Sequence, residues 1–299
     1  MEILNQIRDD YENGAGFLAR RSCEILKEIL MQQSREDIDA VKKVIKHFCH
    51  SLYNLRPSMT NINNLAFLLN DQLEDIFTVY SIGDPIPALL KKIDEIILIQ
   101  KKAIIKAAHN LSNLLKESQT ILTHSKSLSV LKALDLANEK NIRVYVTESS
   151  PVMEGRAMAE TLNHWIKIPV FVIADTEISH VMPQVDIVIV GCDTILPDGS
   201  IINKIGTSTI ALCAEKCEKK FYCVGDTYKI SSDKNSVALE EVSSSQSLTS
   251  FADAKNVYFD KTTEELITGI VTEEGMMSLP LIKKHVSLWK SLERNLLKH

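Results

Sequence analysis

The sequence predicts an α/β protein in which a helical N-terminal domain precedes a Rossmann-like, mostly parallel doubly wound sheet. Three observations carry that expectation. Apolar residues recur at helical spacing through the first third of the chain, as in Phe17, Leu18, Ile25, Leu26, Ile29 and Leu30. From Thr120 onward the period changes to short β-branched runs separated by helical segments, the alternation that builds parallel sheets with right-handed crossovers. Several of those runs end in polar residues, and open α/β sheets collect ligands at their carboxyl edge.

Taken in order, residues 16–32 form the first predicted helix. Ser34 followed by Asp37 has the spacing of a capping box with the shorter acid, and Ile38, Val41, Ile45 and Phe48 continue one apolar face. Residues 61–80 give another helical segment, which Gly83-Asp84-Pro85 breaks. A long helix over 87–116 follows, with Leu90, Ile93, Ile97, Ile104, Ala108, Leu111 and Leu115 as its stripe. Ile93, Ile96, Ile97 and Ile99 make it apolar on more than one side, which suits packing between neighbours or a connector between domains. The expected boundary lies near Ser118, giving a helical domain over 1–118 and a Rossmann-like domain over 119–299 that carries a phosphosugar-type pocket and a dimer surface.

Buried strands are predicted at 120–123, 142–147, 170–174, 186–190 and 221–224, with helices at 128–140, 154–165 and 208–219. A last strand at 256–259 and a helix over 262–272 are expected to close the sheet. Residues 231–253, rich in Ser with interspersed acids, read as a surface excursion. Polar residues end the strands at Thr123-His124-Ser125, Thr147-Glu148-Ser149-Ser150, Asp175 and Gly191-Cys192-Asp193.

The stretch from Val185 to Thr209 concentrates this chemistry. A buried strand ends at Gly191 and delivers Asp193 to the edge. Asp198-Gly199 then signals a tight hairpin that returns Asn203 and Lys204 to the same place. Gly206-Thr207 opens a helix whose first N–H groups favour an anion. A carboxylate, an amide, an ammonium and a helix N-terminus on one rim suit a phosphorylated polyol; a solvated loop with an N-cap would give the same spacing.

Composition bounds the alternatives. The 299 residues are 45% hydrophobic and 24% charged with a net charge of −5, so the chain lacks the general basic footprint of direct nucleic-acid binding. No apolar run approaches a membrane span, and the first residues lack the regions of a signal peptide, so a cytoplasmic protein is expected. The six cysteines include no C-x-x-C pair. Cys213 and Cys217 stand i,i+4 without His or acidic partners at useful spacing, so no metal is expected. Gly-x-Gly-x-x-Gly, Walker and Gly-x-Ser-x-Gly loops are absent, and no cofactor is expected.

Dispersed motifs in one order carry a family resemblance over about residues 14–275. They are Asn13-Gly14-Ala15-Gly16, Leu55-Arg56-Pro57-Ser58-Met59-Thr60-Asn61, Ile121-Leu122-Thr123-His124-Ser125 and Glu148-Ser149-Ser150-Pro151 with Gly155-Arg156 and Met158-Ala159. Gly191-Cys192-Asp193, Asn203-Lys204-Ile205-Gly206-Thr207, Phe259-Asp260, Glu265-Leu266-Ile267-Thr268 and Thr272-Glu273-Glu274-Gly275 complete the set. The sequence resembles the superfamily joining the regulatory subunits of translation initiation factor 2B to aldose-phosphate isomerases. The resemblance implies a ligand set of Gly14, Ala15, Arg56, Ser125, Ser150, Asp193, Asn203, Lys204 and Lys229. In the isomerases a Cys follows the Thr-His pair and works with the Asp that corresponds to Asp193. Here that Cys position is Ser125, whose alcohol is a far weaker acid than a thiol. Ser150 stands where the isomerases carry a phosphate-holding Arg, and a hydroxyl cannot replace a bidentate guanidinium. Cys192 and His124 are candidate substitutes for the missing thiol.

The segment Val224-Gly225-Asp226-Thr227-Tyr228-Lys229-Ile230 is similar to that of initiation-factor subunits and ribose 1,5-bisphosphate isomerases, and the length matches an alpha-type subunit. The resemblance therefore implies an initiation factor 2B alpha-like regulatory subunit with a vestigial sugar-phosphate pocket, supporting nucleotide exchange on initiation factor 2. Its implied partners are a second copy of itself, other initiation factor 2B subunits, initiation factor 2, and a phosphorylated sugar or nucleotide. The alternative is a ribose 1,5-bisphosphate or related aldose-phosphate isomerase in which Asp193 is catalytic.

Overall fold

The computed structural model describes residues 2–10, 13–33, 37–79, 83–233 and 257–298. Its helical half holds α1 (Asn5–Arg8), α2 (Ala15–Met31), α3 (Ile38–Leu52), α4 (Thr60–Val79) and α5 (Ile86–Ser112). Asp37 is the N-cap of α3 and accepts from Ala40 N at 2.8 Å. Ser34, expected to share that cap, lies outside the described residues. Helix α5 links two apolar clusters. Leu89, Ile93 and Ile96 pack with α2 and α4, whereas Ala107, Ala108 and Leu111 pack beneath the sheet. Its Leu98, Ile99 and Ile105 stay exposed, so the helix is enclosed on fewer sides than its composition suggested.

The sheet half alternates β1 (Thr120–Thr123), α6 (Leu128–Leu136), β2 (Arg143–Thr147), α7 (Glu154–Glu160), β3 (Val170–Ile173), α8 (Ile178–Val181) and β4 (Ile187–Val190). A hairpin of β5 (Thr194–Ile195) and β6 (Ile201–Lys204) follows, then α9 (Thr207–Lys216) and β7 (Lys220–Val224). The chain ends in β8 (Phe259–Thr262), β9 (Gly269–Thr272), β10 (Gly275–Met276) and α10 (Leu279–Leu297). The seven-stranded sheet runs β10-β9-β7-β4-β1-β2-β3, parallel throughout except for β10. The chain winds from β1 outward through β2 and β3, then returns to the other side of β1 with β4. The carboxyl ends of β1 and β4 therefore flank a topological switch point.

The expected Asp198-Gly199 hairpin forms. Gly199 takes φ +88°, Leu196 N donates to Ser200 O, and β5 pairs antiparallel with β6. Gly155 meets a different demand. A Cβ there would lie 1.8 Å from Thr147 O, and its absence lets α7 press against the end of β2.

Two expectations at the C-terminus are corrected. The strand placed at 256–259 is Phe259–Thr262, and it pairs with β6 in a separate three-stranded antiparallel sheet rather than closing the main one. The helix placed over 262–272 is a short 3₁₀ turn, Glu264–Leu266, followed by β9, which adds parallel to β7. The β-branched Ile270, Val271 and Thr272 favour the strand. Helix α10 had no counterpart in the sequence reading, although Ile282, Val286, Trp289, Leu292 and Leu296 are spaced for one apolar face. It packs on α4, and Trp289 Nε1 donates to Thr227 O at 3.2 Å. Burying each such large apolar side chain is worth roughly 1.5–3 kcal/mol. Of the surface excursion expected over 231–253, residues 234–253 lie outside the described residues.

Candidate ligand-binding site

A cavity of about 680 Å³ opens at the switch point, between the helical half and the carboxyl edge of the sheet. The first turn of α2, Arg56 and part of α5 form one side. The ends of β1 and β4, the 226–229 turn and the β6–β8 pair form the other. Eight of the nine residues in the expected ligand set line it: Gly14, Ala15, Arg56, Ser125, Asp193, Asn203, Lys204 and Lys229.

Ser150 is the exception. Its N–H and that of Ser149 donate to the two oxygens of Asp175, at 2.7 and 3.0 Å, which hold this loop against the end of β3 and away from the cavity. The polar strand ends thus divide. Ser125 and Asp193, after β1 and β4, face the cavity, and the ends of β2 and β3 support them.

His124 belongs to the support. Its Nε2 lies 2.8 Å from Ile205 O, which can only accept, so Nε2 carries the proton and Nδ1 accepts from Thr147 Oγ1 at 2.5 Å. Burial pushes the imidazole below its ordinary value, against the Ile205 hydrogen bond, so it is neutral. Gly206, at φ +104°, lets the chain pass over this ring, since a Cβ would sit 3.2 Å from it. Ser125, also at positive φ, donates its N–H to Ser149 Oγ at 2.8 Å.

The cavity floor is a hydrogen-bonded trio. Ser125 Oγ donates to Glu154 Oε1 at 2.8 Å, and the same oxygen pairs with Lys204 Nζ at 3.0 Å. The Lys204 and Glu154 side chains are each only 9% exposed. Lys204 Nζ also lies over the Tyr258 and Phe259 rings, 5.1 and 5.7 Å from their centres. Beside the trio, Asp193 N donates to Ile202 O at 2.9 Å, which ties the end of β4 to the hairpin and leaves its carboxylate at the cavity. Asn203 Nδ2 donates to Thr207 Oγ1 at 3.0 Å.

Several expected phosphate partners are spent on the protein itself. Arg56, 2% exposed, donates from one guanidinium nitrogen to the carbonyls of Ile7 and Asp10 and so clasps the N-terminal segment. Lys229 Nζ donates to Cys192 O at 2.6 Å. Burial works against the Lys229 ammonium, but the acidic groups around it, Cys192, Asp226 and Asp193, hold it above the ordinary lysine value. Burial pushes Asp226 up to about 6, with Lys229 opposing and Glu273 adding. The N-terminus of α9, read from sequence as open to an anion, is filled by Asp260. Its Oδ2 accepts from Gly206 N at 2.8 Å and Ser208 N at 3.1 Å. Cys192 is buried with its thiol directed at Val224 O.

The mouth differs. Gly14 begins α2 without a side-chain cap, and its first turn lines the cavity together with Lys101, Lys126 and Lys132. Among the described residues these three lysines form no ion pair. An uncapped helix N-terminus beside free ammonium groups can hold an anion, while the floor offers carboxylates and an alcohol suited to ligand hydroxyls. Glu154 and Asp260 were missed as site residues. Only the three-dimensional approach of α7 and β8 to Lys204 and Gly206 gives them their roles.

Comparison with known proteins gives three findings. The sequence model of the Initiation factor 2 subunit family matches residues 11–279. A ribose 1,5-bisphosphate isomerase of Methanocaldococcus jannaschii is 29% identical over 93% of this chain and 92% of its own. A putative translation initiation factor eIF-2B subunit 2-like protein of Pyrococcus abyssi is 30% identical over 94% and 96%. Among solved structures, translation initiation factor eIF-2B of Pyrococcus horikoshii OT3 superposes with a TM-score of 0.81 at 27% identity, covering 92% of this chain and 95% of that one.

Proposed function

We propose, from the premise that this chain belongs to the Initiation factor 2 subunit family, that it is an initiation factor 2B alpha-like regulatory subunit whose cavity binds a phosphorylated sugar without isomerising it. The observation that carries this reading is the state of Ser125. Aldose–ketose isomerisation moves a proton between neighbouring carbons and needs both an acid and a base. Asp193 can act as a base, but the alcohol of Ser125 replaces an acid of thiol strength and donates its hydrogen bond to Glu154. The floor is arranged to hold hydroxyls and the mouth to hold a phosphate. The same reading makes the chain a cytoplasmic protein that pairs with a second copy and with other initiation factor 2B subunits, the ligand reporting metabolic state to nucleotide exchange on initiation factor 2. Among the described residues no helix is long and apolar enough to cross a membrane.

The second reading is an aldose-phosphate isomerase. The Asp193 carboxylate at the cavity and the similarity to an archaeal ribose 1,5-bisphosphate isomerase favour it. Incubation with ribose 1,5-bisphosphate, followed by phosphorus NMR, separates the two. The regulatory reading expects no ketose bisphosphate from the native chain and measurable turnover from Ser125→Cys. Turnover by the native chain establishes the isomerase instead.

A further inference from the structure

We propose that Glu154 is the specificity-determining residue of this cavity, admitting a ligand hydroxyl at Lys204 and rejecting a second phosphate there. The inference rests on the sugar-phosphate reading above and adds to it which end groups the ligand carries.

Glu154 Oε1 holds both Ser125 Oγ, at 2.8 Å, and Lys204 Nζ, at 3.0 Å, with its side chain nine-tenths buried. The carboxylate thus occupies the ammonium that a phosphate would require. A hydroxyl meets a Lys–Glu pair favourably, accepting from the ammonium and donating to the carboxylate. A phosphate dianion brought against the same pair faces the carboxylate at contact distance in a site sheltered from water, where like charges repel strongly. Asp193 lines the same floor and adds a further negative charge. A phosphate is therefore received at the mouth, by the first turn of α2 and the lysines around it, and the opposite end of the ligand is a free hydroxyl.

The second carboxylate oxygen, Glu154 Oε2, is buried without a hydrogen-bond partner among the described residues. Glu154→Gln removes the charge while keeping the side chain's shape. The amide oxygen keeps accepting from Ser125 and Lys204, and the amide nitrogen takes the place of an oxygen that bonds to nothing.

Isothermal titration calorimetry of the full chain with ribose 5-phosphate and ribose 1,5-bisphosphate tests the proposal, with Glu154→Gln and Glu154→Ala run beside the native protein. The native protein is expected to bind the monophosphate at least about tenfold more tightly, a gap of about 1.4 kcal/mol. In Glu154→Gln the bisphosphate should gain about tenfold while the monophosphate changes less than about threefold. Glu154→Ala should move the ratio the same way. Native preference for the bisphosphate, or a ratio unaltered in both variants while both ligands still bind, overturns this role for Glu154 and leaves the pocket reading intact. Failure of both sugars to bind any of the three proteins overturns the sugar-phosphate reading and this proposal with it.

Discussion

The N-termini of α9 and α2, both near the carboxyl edge of the sheet, meet different fates. Helix α9 begins at Gly206, and the Asp260 carboxylate accepts from the N–H groups of Gly206 and Ser208. Helix α2 begins at Gly14, with no side chain on its first N–H groups and a cavity in front of them. Both positions hold glycine and both open helices long enough to carry an end charge. What separates them is a carboxylate delivered by a strand more than fifty residues further along the chain. An N-terminus filled from within is a structural joint. One left open beside a cavity is the place to look for an anion.

The largest expected effect tests the closed side. Burial pushes Asp260 up to about 6, against the two N–H bonds that pull it down. Its carboxyl therefore keeps a proton in the folded chain at pH values where the unfolded chain has released it. The folded state is favoured below about pH 4, and that advantage is lost as the pH rises towards 6. The gap from the ordinary 3.8 to about 6 corresponds to about 3 kcal/mol at most. Asp260→Asn keeps an acceptor for Gly206 and Ser208 and carries no charge. Urea unfolding of both proteins from pH 4 to 7 should show the variant gaining on the native chain across that window. Parallel curves would mean that Asp260 is not held in a charge-averse site.

The second effect tests the open side by making it resemble the closed one. Gly14 has φ −74° and ψ 162°, ordinary N-cap angles, and a Cβ there would meet only Lys126 O at 3.9 Å. Gly14→Asp should fold, gaining a few tenths of a kcal/mol from the cap. Its carboxylate should lower calorimetric affinity for ribose 5-phosphate by at least about tenfold. Unchanged affinity would move the phosphate to another part of the cavity.

The contrast also marks how far the sequence can be read. The α/β class, the alternation after Thr120, the Asp198-Gly199 hairpin and the gathering of Asp193, Asn203 and Lys204 follow from periodicity and turn chemistry, which are local. So does the asymmetric edge, because a parallel sheet puts all its strand ends on one side. The partners of those residues are not local. Glu154 reaches Lys204 across fifty residues, and Asp175 draws Ser150 from the cavity through two backbone N–H groups. The family resemblance supplied Ser150 as a ligand residue but not the bond that removes it. The 262–272 segment failed for a related reason, since its β-branched run at 270–272 is short and gains its place only by pairing with β7.

The smallest expected effect isolates the capping bonds from the charge. Asp260→Ala and Asp260→Asn are both neutral, so the cost of burying a carboxylate drops out of their difference. What remains is the pair of N–H bonds at Gly206 and Ser208, which the amide can accept and the methyl cannot. Loss of such a cap costs about 1 kcal/mol. For a chain of this size that lowers the melting temperature by roughly 2–4 °C. Calorimetric melting should place Asp260→Ala below Asp260→Asn by that amount, with no dependence on pH between 4 and 8. Inorganic phosphate should then narrow the gap, because only the alanine variant opens the N-terminus of α9. If phosphate raises both variants equally, α9 is closed by more than Asp260, and the distinction between the two helix ends lies in the surrounding walls rather than in one carboxylate.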